Sequence, residues 1–164
     1  MTFQKIIVAI DDSPLSQLVF SEALDIARAS AGSLMLFNCI SEETIAQPVI
    51  PMPGEFGLTP EVVTEAYQVQ QVRLDSLQSR GRAMLDQFCS KAAEYGIMAE
   101  FDCKVGDAGY WLCELAKSWN ASLIVVGRRG RTGLTEALLG SVSNYVVHNA
   151  PCSVLVIQQD HPKV

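Results

Sequence analysis

Basic residues are scarce in this chain of 164 residues: 12 lysines and arginines stand against 18 aspartates and glutamates, a net charge of −6. Nucleic acid and anionic membranes both demand a broad basic face, so neither is expected as a partner. Histidine is scarcer still, with only His148 and His161, too few for a histidine-rich metal site. The cysteines (Cys39, Cys89, Cys103, Cys113 and Cys152) are odd in number, and no two stand at C-x-x-C spacing. That argues against a disulfide framework or zinc site and for reduced, mostly buried thiols. No apolar run approaches the roughly 20 residues that cross a bilayer. Met1 to Lys5 lead straight into a strand-like run and not through a basic leader with a cleavage site, so a cytoplasmic location is expected. Two nucleotide signatures are absent as well: G-x-x-x-x-G-K-[S/T], with its phosphate-binding lysine, and G-x-G-x-x-G.

What is present is apolar and regularly punctuated. Hydrophobic residues make up 49% and charged residues 18%, a globular composition, and the length suits one domain. Ile6 to Ile10 is a short, β-branched apolar run of the kind buried on both faces of a sheet. Ser13 and Pro14 then read as N-cap and first helical position, and Leu15 to Ala27 carry helical spacing up to a stop at Gly32. Ser33 to Ile40 reads as a second strand. The stretch 41–60 holds Pro48, Pro51, Pro53 and Pro60 with Gly54 and Gly57, and reads as a long loop inserted after that strand. A long helical pattern starts at Thr59-Pro60 and ends at Gly96, with a kink or break near Gly81 as one reading. Ile97 to Val105 is a third strand. Asp107 caps a helix holding Trp111, Leu115 and Trp119, whose helical spacing marks packing. Ser122 to Val126 is a fourth strand. A helix from about Thr135 to His148 and a strand from Ser153 to Ile157 follow, then a short tail, 159–164. Strands alternating with helices imply an α/β fold: a single, doubly wound, five-stranded parallel sheet with helices on both faces. In such sheets ligands lie outside the carboxyl ends of the strands, where strand order reverses.

One of those ends is rich in glycine. Gly127-Arg128-Arg129-Gly130-Arg131-Thr132-Gly133 follows the fourth strand, and Gly140-Ser141-Val142-Ser143 comes ten residues after Gly130. Glycine lets backbone N–H groups turn toward an anion at close range, and a helix start adds partial positive charge. Serine hydroxyls donate to phosphate oxygens. A plain flexible connection would need fewer glycines. The three arginines suit phosphate screening or partner contact, and equally a solvated loop. Asp11, at the first strand's end, is placed to accept from ribose hydroxyls or to cap the following helix. Asp12 alternates to the other side and reads as solvated. His148 reads as a helix-end residue, and no catalytic set assembles.

The spacing Gly127-x2-Gly130-x9-Gly140-Ser141 resembles the G-x2-G-x9-G-[S/T] motif of ATP-binding universal stress proteins. Lys5 to Ser13 is similar to that family's first strand and acidic turn, and Ala150 to Ile157 to its last strand, so the resemblance spans nearly the whole chain. It implies the adenine-nucleotide α-hydrolase-like version of the Rossmann-type fold, with ATP or AMP across the strand ends. Gly127, Gly130, Gly140, Ser141, Val142 and Ser143 would surround the phosphates and ribose, within the wider stretch Gly127 to Gly133. Asp11 would lie by the ribose and adenine, with the small Ala9 before it. Cys39 would turn its backbone to the adenine, and Val105 and Gly106 would flank the pocket. The family also implies a homodimer paired through Val154, Leu155, Val156 and Ile157, whose exposed apolar edge would otherwise invite aggregation. The leading functional reading is a nucleotide-binding stress or signalling protein without fast turnover. A slow ATPase or nucleotidyl transferase, with Mg²⁺ held by a carboxylate such as Asp11, is the alternative. An interaction module with an empty pocket is a third.

Overall fold

The computed structural model describes residues 2–41, 60–128 and 139–158, with side chains from residue 64 onward in the long second helix. Its elements are β1 (Lys5–Ala9), α1 (Leu15–Ser30), β2 (Ser33–Ile40), α2 (Pro60–Glu94), β3 (Ala99–Val105), α3 (Ala108–Trp119), β4 (Leu123–Gly127), α4 (Ser141–Asn149) and β5 (Ser153–Ile157). The strands form one parallel sheet in the order β3-β2-β1-β4-β5. The chain therefore builds outward from β1 to one edge, then returns and builds from β4 to the other. The reversal falls between β1 and β4.

The central strands show no polar alternation because both of their faces are covered. Ile6, Ile7 and Val8 of β1 are fully buried, as are Leu34 and Leu36 of β2. On one face Val19, Phe20, Ala23 and Ala27 of α1 and Leu85, Phe88 and Ala92 of α2 pack on Ile6, Val8, Leu34, Leu36 and Val125. Phe20 and Phe88 join the two helices, with ring centroids 4.9 Å apart. On the other face Leu112, Cys113 and Ala116 of α3 and Val146 of α4 cover Ile7, Met35, Phe37, Ile124 and Val126. Trp111, Leu115 and Trp119 pack against this second cluster, as their spacing implied.

Three local readings are corrected. The turn after β1 is not capped by Ser13: its hydroxyl donates back to Asp11 Oδ1, and Pro14 stands at the N-cap with no side-chain cap bond. The left-handed residue closing α1 is Ala31 (φ 50°), not Gly32. The last helix does not run through Gly140. Leu139 and Gly140 are non-helical, and α4 begins at Ser141 from an extended Gly140 N-cap (φ −61°, ψ 160°), a break held by Ser143 Oγ donating to the Gly140 carbonyl at 3.0 Å. In contrast, α2 is continuous through Gly81. At about 1.5 Å per residue it greatly outreaches the strands it covers. Because it returns the chain from the end of β2 to the start of β3, its N-terminal half overhangs the carboxyl edge of the sheet.

Candidate functional site

Parallel topology collects the predicted residues at one edge of the sheet. Every strand ends there, and every crossover helix begins there. β1 leaves the sheet first, its register closing at Ala9 opposite Phe37, with Ile10 N–H still donating to the Phe37 carbonyl at 2.8 Å. Asp11 then turns the chain. Its Oδ1 accepts from the Ser13 N–H at 3.0 Å, the Ser13 hydroxyl and the Ser16 hydroxyl at 2.8 Å, while its own N–H donates to Ser16 Oγ at 2.9 Å. One carboxylate oxygen thus organises the whole β1–α1 turn, and Asp11 holds that turn without capping α1 itself, which begins from Pro14 with no side-chain cap bond. Ser16, buried at 4% exposure, is a residue the sequence reading missed. Its only signal was a hydroxyl in the first turn of a helix that follows an acidic strand end. Asp12 is exposed.

Cys39 and Gly106 form the next part of the rim. Cys39 Sγ donates to the Gly106 carbonyl at 3.5 Å, and Gly106 N–H donates to the Ile40 carbonyl at 2.9 Å. Burial, with smaller contributions from Cys103 and Asp107, pushes the Cys39 thiol up to about 11, so it is a neutral thiol at physiological pH. The Val105 carbonyl accepts from Trp111 Nε1 at 3.1 Å. Asp107 caps α3 through the Tyr110 N–H at 2.7 Å, as expected. Gly106 itself has φ 122°, a region closed to residues with a Cβ. A Gly106→Ala variant is therefore expected to cost about 1–3 kcal/mol, a fall in melting temperature of roughly 3–10 °C for a chain of this length, measured by thermal unfolding. An unchanged melting temperature would contradict the strained turn.

Gly127 ends β4 opposite Ile157 of β5. Its φ lies outside the left-handed region, and what glycine serves there is close approach: a Cβ would lie 2.8 Å from Leu15 Cδ2 and 3.1 Å from Val19 Cγ2, so those side chains would have to shift. The start of α1 is seated against the end of β4 in that space, which ties the Asp11 turn to the glycine segment. Arg128 is directed to the β5 side, its N–H donating to the Ile157 carbonyl at 2.7 Å and Nη1 to Gln158 Oε1 at 2.8 Å. Arg129, Gly130, Arg131, Thr132 and Gly133 lie outside the described residues. Ser141 is exposed at the first position of α4, Val142 packs against the α3/α4 face, and Ser143 is buried with its hydroxyl on Gly140. The structure thus brings Ala9, Asp11, Cys39, Val105, Gly106, Gly127, Gly140 and Ser141 to one edge, from five different elements and their turns. Among the described residues no three metal-ligating side chains come together. No helix among them is long and apolar enough to cross a membrane.

A parallel sheet in this order, covered by helices on both faces and with its glycine-lined turns at the switch point, defines a Rossmann-type α/β protein. Residues 2–158 match the universal stress protein family, and the chain belongs to it. It is 37% identical over 158 residues to universal stress protein Sll1388 of Synechocystis, covering 96% of this chain and 99% of that one. It is 31% identical over 156 residues to universal stress protein YxiE of Bacillus subtilis, covering 95% and 99%. Among solved structures, hypothetical protein MJ0577 superposes with a TM-score of 0.77 at 18% identity, over 98% of this chain and 99% of that one. A universal stress protein in complex with cAMP superposes with a TM-score of 0.65 at 22% identity, over 96% and 98%. The Arabidopsis thaliana protein At3g01520, with AMP bound, does so with a TM-score of 0.59 at 21% identity, over 96% and 92%.

Proposed function

We propose that this protein binds an adenine nucleotide, ATP or AMP, across the carboxyl ends of β1, β2 and β4 and works as a cytoplasmic, homodimeric stress or signalling sensor. The observation that carries this is the departure of β1 at Ile10. Cys39, the Asp11 turn, Gly127 and Gly140 stand at that edge, and a nucleotide lying between β2 and β4 would meet them. Those residues fit such a ligand by chemistry and size. Ala9 is small and half-buried, Asp11 brings a carboxylate for ribose hydroxyls, and Gly106, Gly127 and Gly140 carry no Cβ to crowd a phosphate. Ser141, at the start of α4, supplies a hydroxyl beside the positive end of a helix. Ser143 holds the Gly140 carbonyl and so shapes that helix start. The nucleotides named with two solved structures of the same fold, cAMP and AMP, support the base assignment.

Binding without turnover is the preferred form because no Walker lysine or general base stands among the assembled residues. The alternative, a slow ATPase or nucleotidyl transferase, would bring Mg²⁺ in with the phosphates, with Asp11 as the nearest carboxylate of the site. Denaturing the purified protein and analysing the released small molecules is expected to yield ATP or AMP in near-stoichiometric amount. Protein stripped of nucleotide is expected to gain ~2.7 kcal/mol at a hundredfold excess of AMP over its dissociation constant, roughly 5–11 °C in melting temperature. No released nucleotide and no shift with ATP, AMP or cyclic nucleotides would overturn the proposal. Release of phosphate from ATP, abolished in Asp11→Ala, would favour the enzyme.

A further inference from the structure

One buried polar contact at the end of β1 is not used by the nucleotide reading. Asn38 interrupts the apolar run Leu34-Met35-Leu36-Phe37 of β2 and is only 9% exposed. Its Nδ2 donates to the Ile10 carbonyl at 2.8 Å, and its Oδ1 accepts from Cys103 Sγ at 3.7 Å. The amide lies under α2, where a Cβ on Gly81 would fall 2.8 Å from Asn38 Oδ1 and 3.5 Å from Cys103 Sγ. The helix closes over this amide because position 81 has no side chain, which is why glycine stands within an unbroken helix.

Backbone alternation gives the contact its meaning. Ser33 N–H donates to the Gln4 carbonyl, and the Phe37 carbonyl accepts from Ile10, so odd-numbered residues of β2 turn their N–H and C=O toward β1. Even-numbered residues turn toward β3, as Leu34 N–H on the Met98 carbonyl and the Ile40 carbonyl under Gly106 N–H show. One more step of the parallel ladder would set the Cys39 N–H on the Ile10 carbonyl. Asn38 Nδ2 takes that carbonyl instead, and Asp11 N–H turns away to Ser16.

We propose that Asn38 is a positioning residue: by holding the Ile10 carbonyl it ends the β1–β2 ladder at Phe37 and keeps the N–H and C=O of Cys39 turned to the crevice, where they read the N1 and N6 edge of an adenine base. This rests on the nucleotide reading for its ligand, but not for its geometry. The contact sets base recognition and leaves ribose and phosphate binding to Asp11 and the glycine segments.

Asn38→Ala and Gly81→Ala, compared with the wild type, test this. In ligand-free Asn38→Ala the released Ile10 carbonyl is expected to accept the Cys39 N–H, so hydrogen exchange at that single amide slows. AMP affinity is expected to fall about tenfold, the loss of one hydrogen bond, while affinity for ribose 5-phosphate stays within about twofold. Gly81→Ala displaces the same amide from the α2 side and should reproduce the AMP loss. Alanine is also the better helix former, so stability should hold while affinity drops. Equal weakening of AMP and ribose 5-phosphate, or faster exchange throughout β1 and β2, would show a merely structural contact and overturn the proposal. If Asn38→Ala does not fold, Gly81→Ala alone decides by the same two ligands. If wild-type protein binds no AMP, the nucleotide reading falls, and the Cys39 exchange rate still decides whether Asn38 ends the ladder.

Discussion

Asp11→Ala is expected to weaken AMP binding by about 10- to 150-fold and to destabilise the protein by about 2–4 kcal/mol. The binding figure follows from losing a hydrogen bond to a charged group, worth about 1.5–3 kcal/mol. The stability figure follows from the turn. Oδ1 accepts from the Ser13 N–H and from the Ser13 and Ser16 hydroxyls, and Ser16 is buried. A buried hydroxyl left without its acceptor costs about 1–3 kcal/mol, and the turn loses two further bonds. Asp11→Asn separates the two roles. Asparagine keeps one oxygen for the serines but puts an NH₂ donor where the carboxylate has its second acceptor. It should unfold within about 1 kcal/mol of the wild type and still lose about tenfold in AMP affinity. Titration calorimetry with AMP and urea unfolding of the three proteins read both numbers. Wild-type AMP affinity in Asp11→Ala would remove Asp11 from the site, and equal destabilisation by Ala and Asn would mean that the turn needs the charge itself.

The residues that could be read from sequence were those whose neighbours are local. Ser33–Ile40 is a strand with the bounds its apolar run implied, and Asp107 caps α3 because an N-cap needs only the N–H three residues on. Strand ends at β1 and β4 moved by one residue, since pairing with the next strand decides where a ladder stops. A kink or break near Gly81 stands as one reading of the sequence because local propensity is all a sequence shows. The reason for glycine there lies 43 positions away in Asn38. Asn38 itself left a trace, an amide inside an apolar strand, and buried amides have partners. What sequence could not supply was the partner, Ile10. The glycine segment divides in the same way. The family resemblance implies phosphate contact for both Gly140 and Gly127, whereas Gly127 also answers to the packing of Leu15 and Val19 across the sheet's edge.

Val156→Pro is expected to turn a dimer into a monomer without unfolding it. β5 is the outer strand of the sheet, paired with β4 on one side. The Ile157 carbonyl accepts from Arg128 N–H, so Ser153, Leu155 and Ile157 turn their backbones to β4. Val154 and Val156 therefore turn theirs outward, and their side chains pack on the α3/α4 face. An outward row of N–H and C=O groups on a short apolar strand is a template for a second strand, and an antiparallel copy of β5 would match it. Proline at 156 removes one outward N–H that no bond to β4 uses, a substitution edge strands tolerate. It should cost the fold about 1 kcal/mol or less in lost packing, yet block the paired strand. Leu155→Pro is the control: it removes an N–H directed at β4 and should cost about 3 kcal/mol or more. Sedimentation equilibrium at micromolar concentration should give twice 17.9 kDa for the wild type and 17.9 kDa for Val156→Pro, with unchanged circular dichroism. A dimeric Val156→Pro would move the interface away from β5, and a monomeric wild type would leave that edge without its partner.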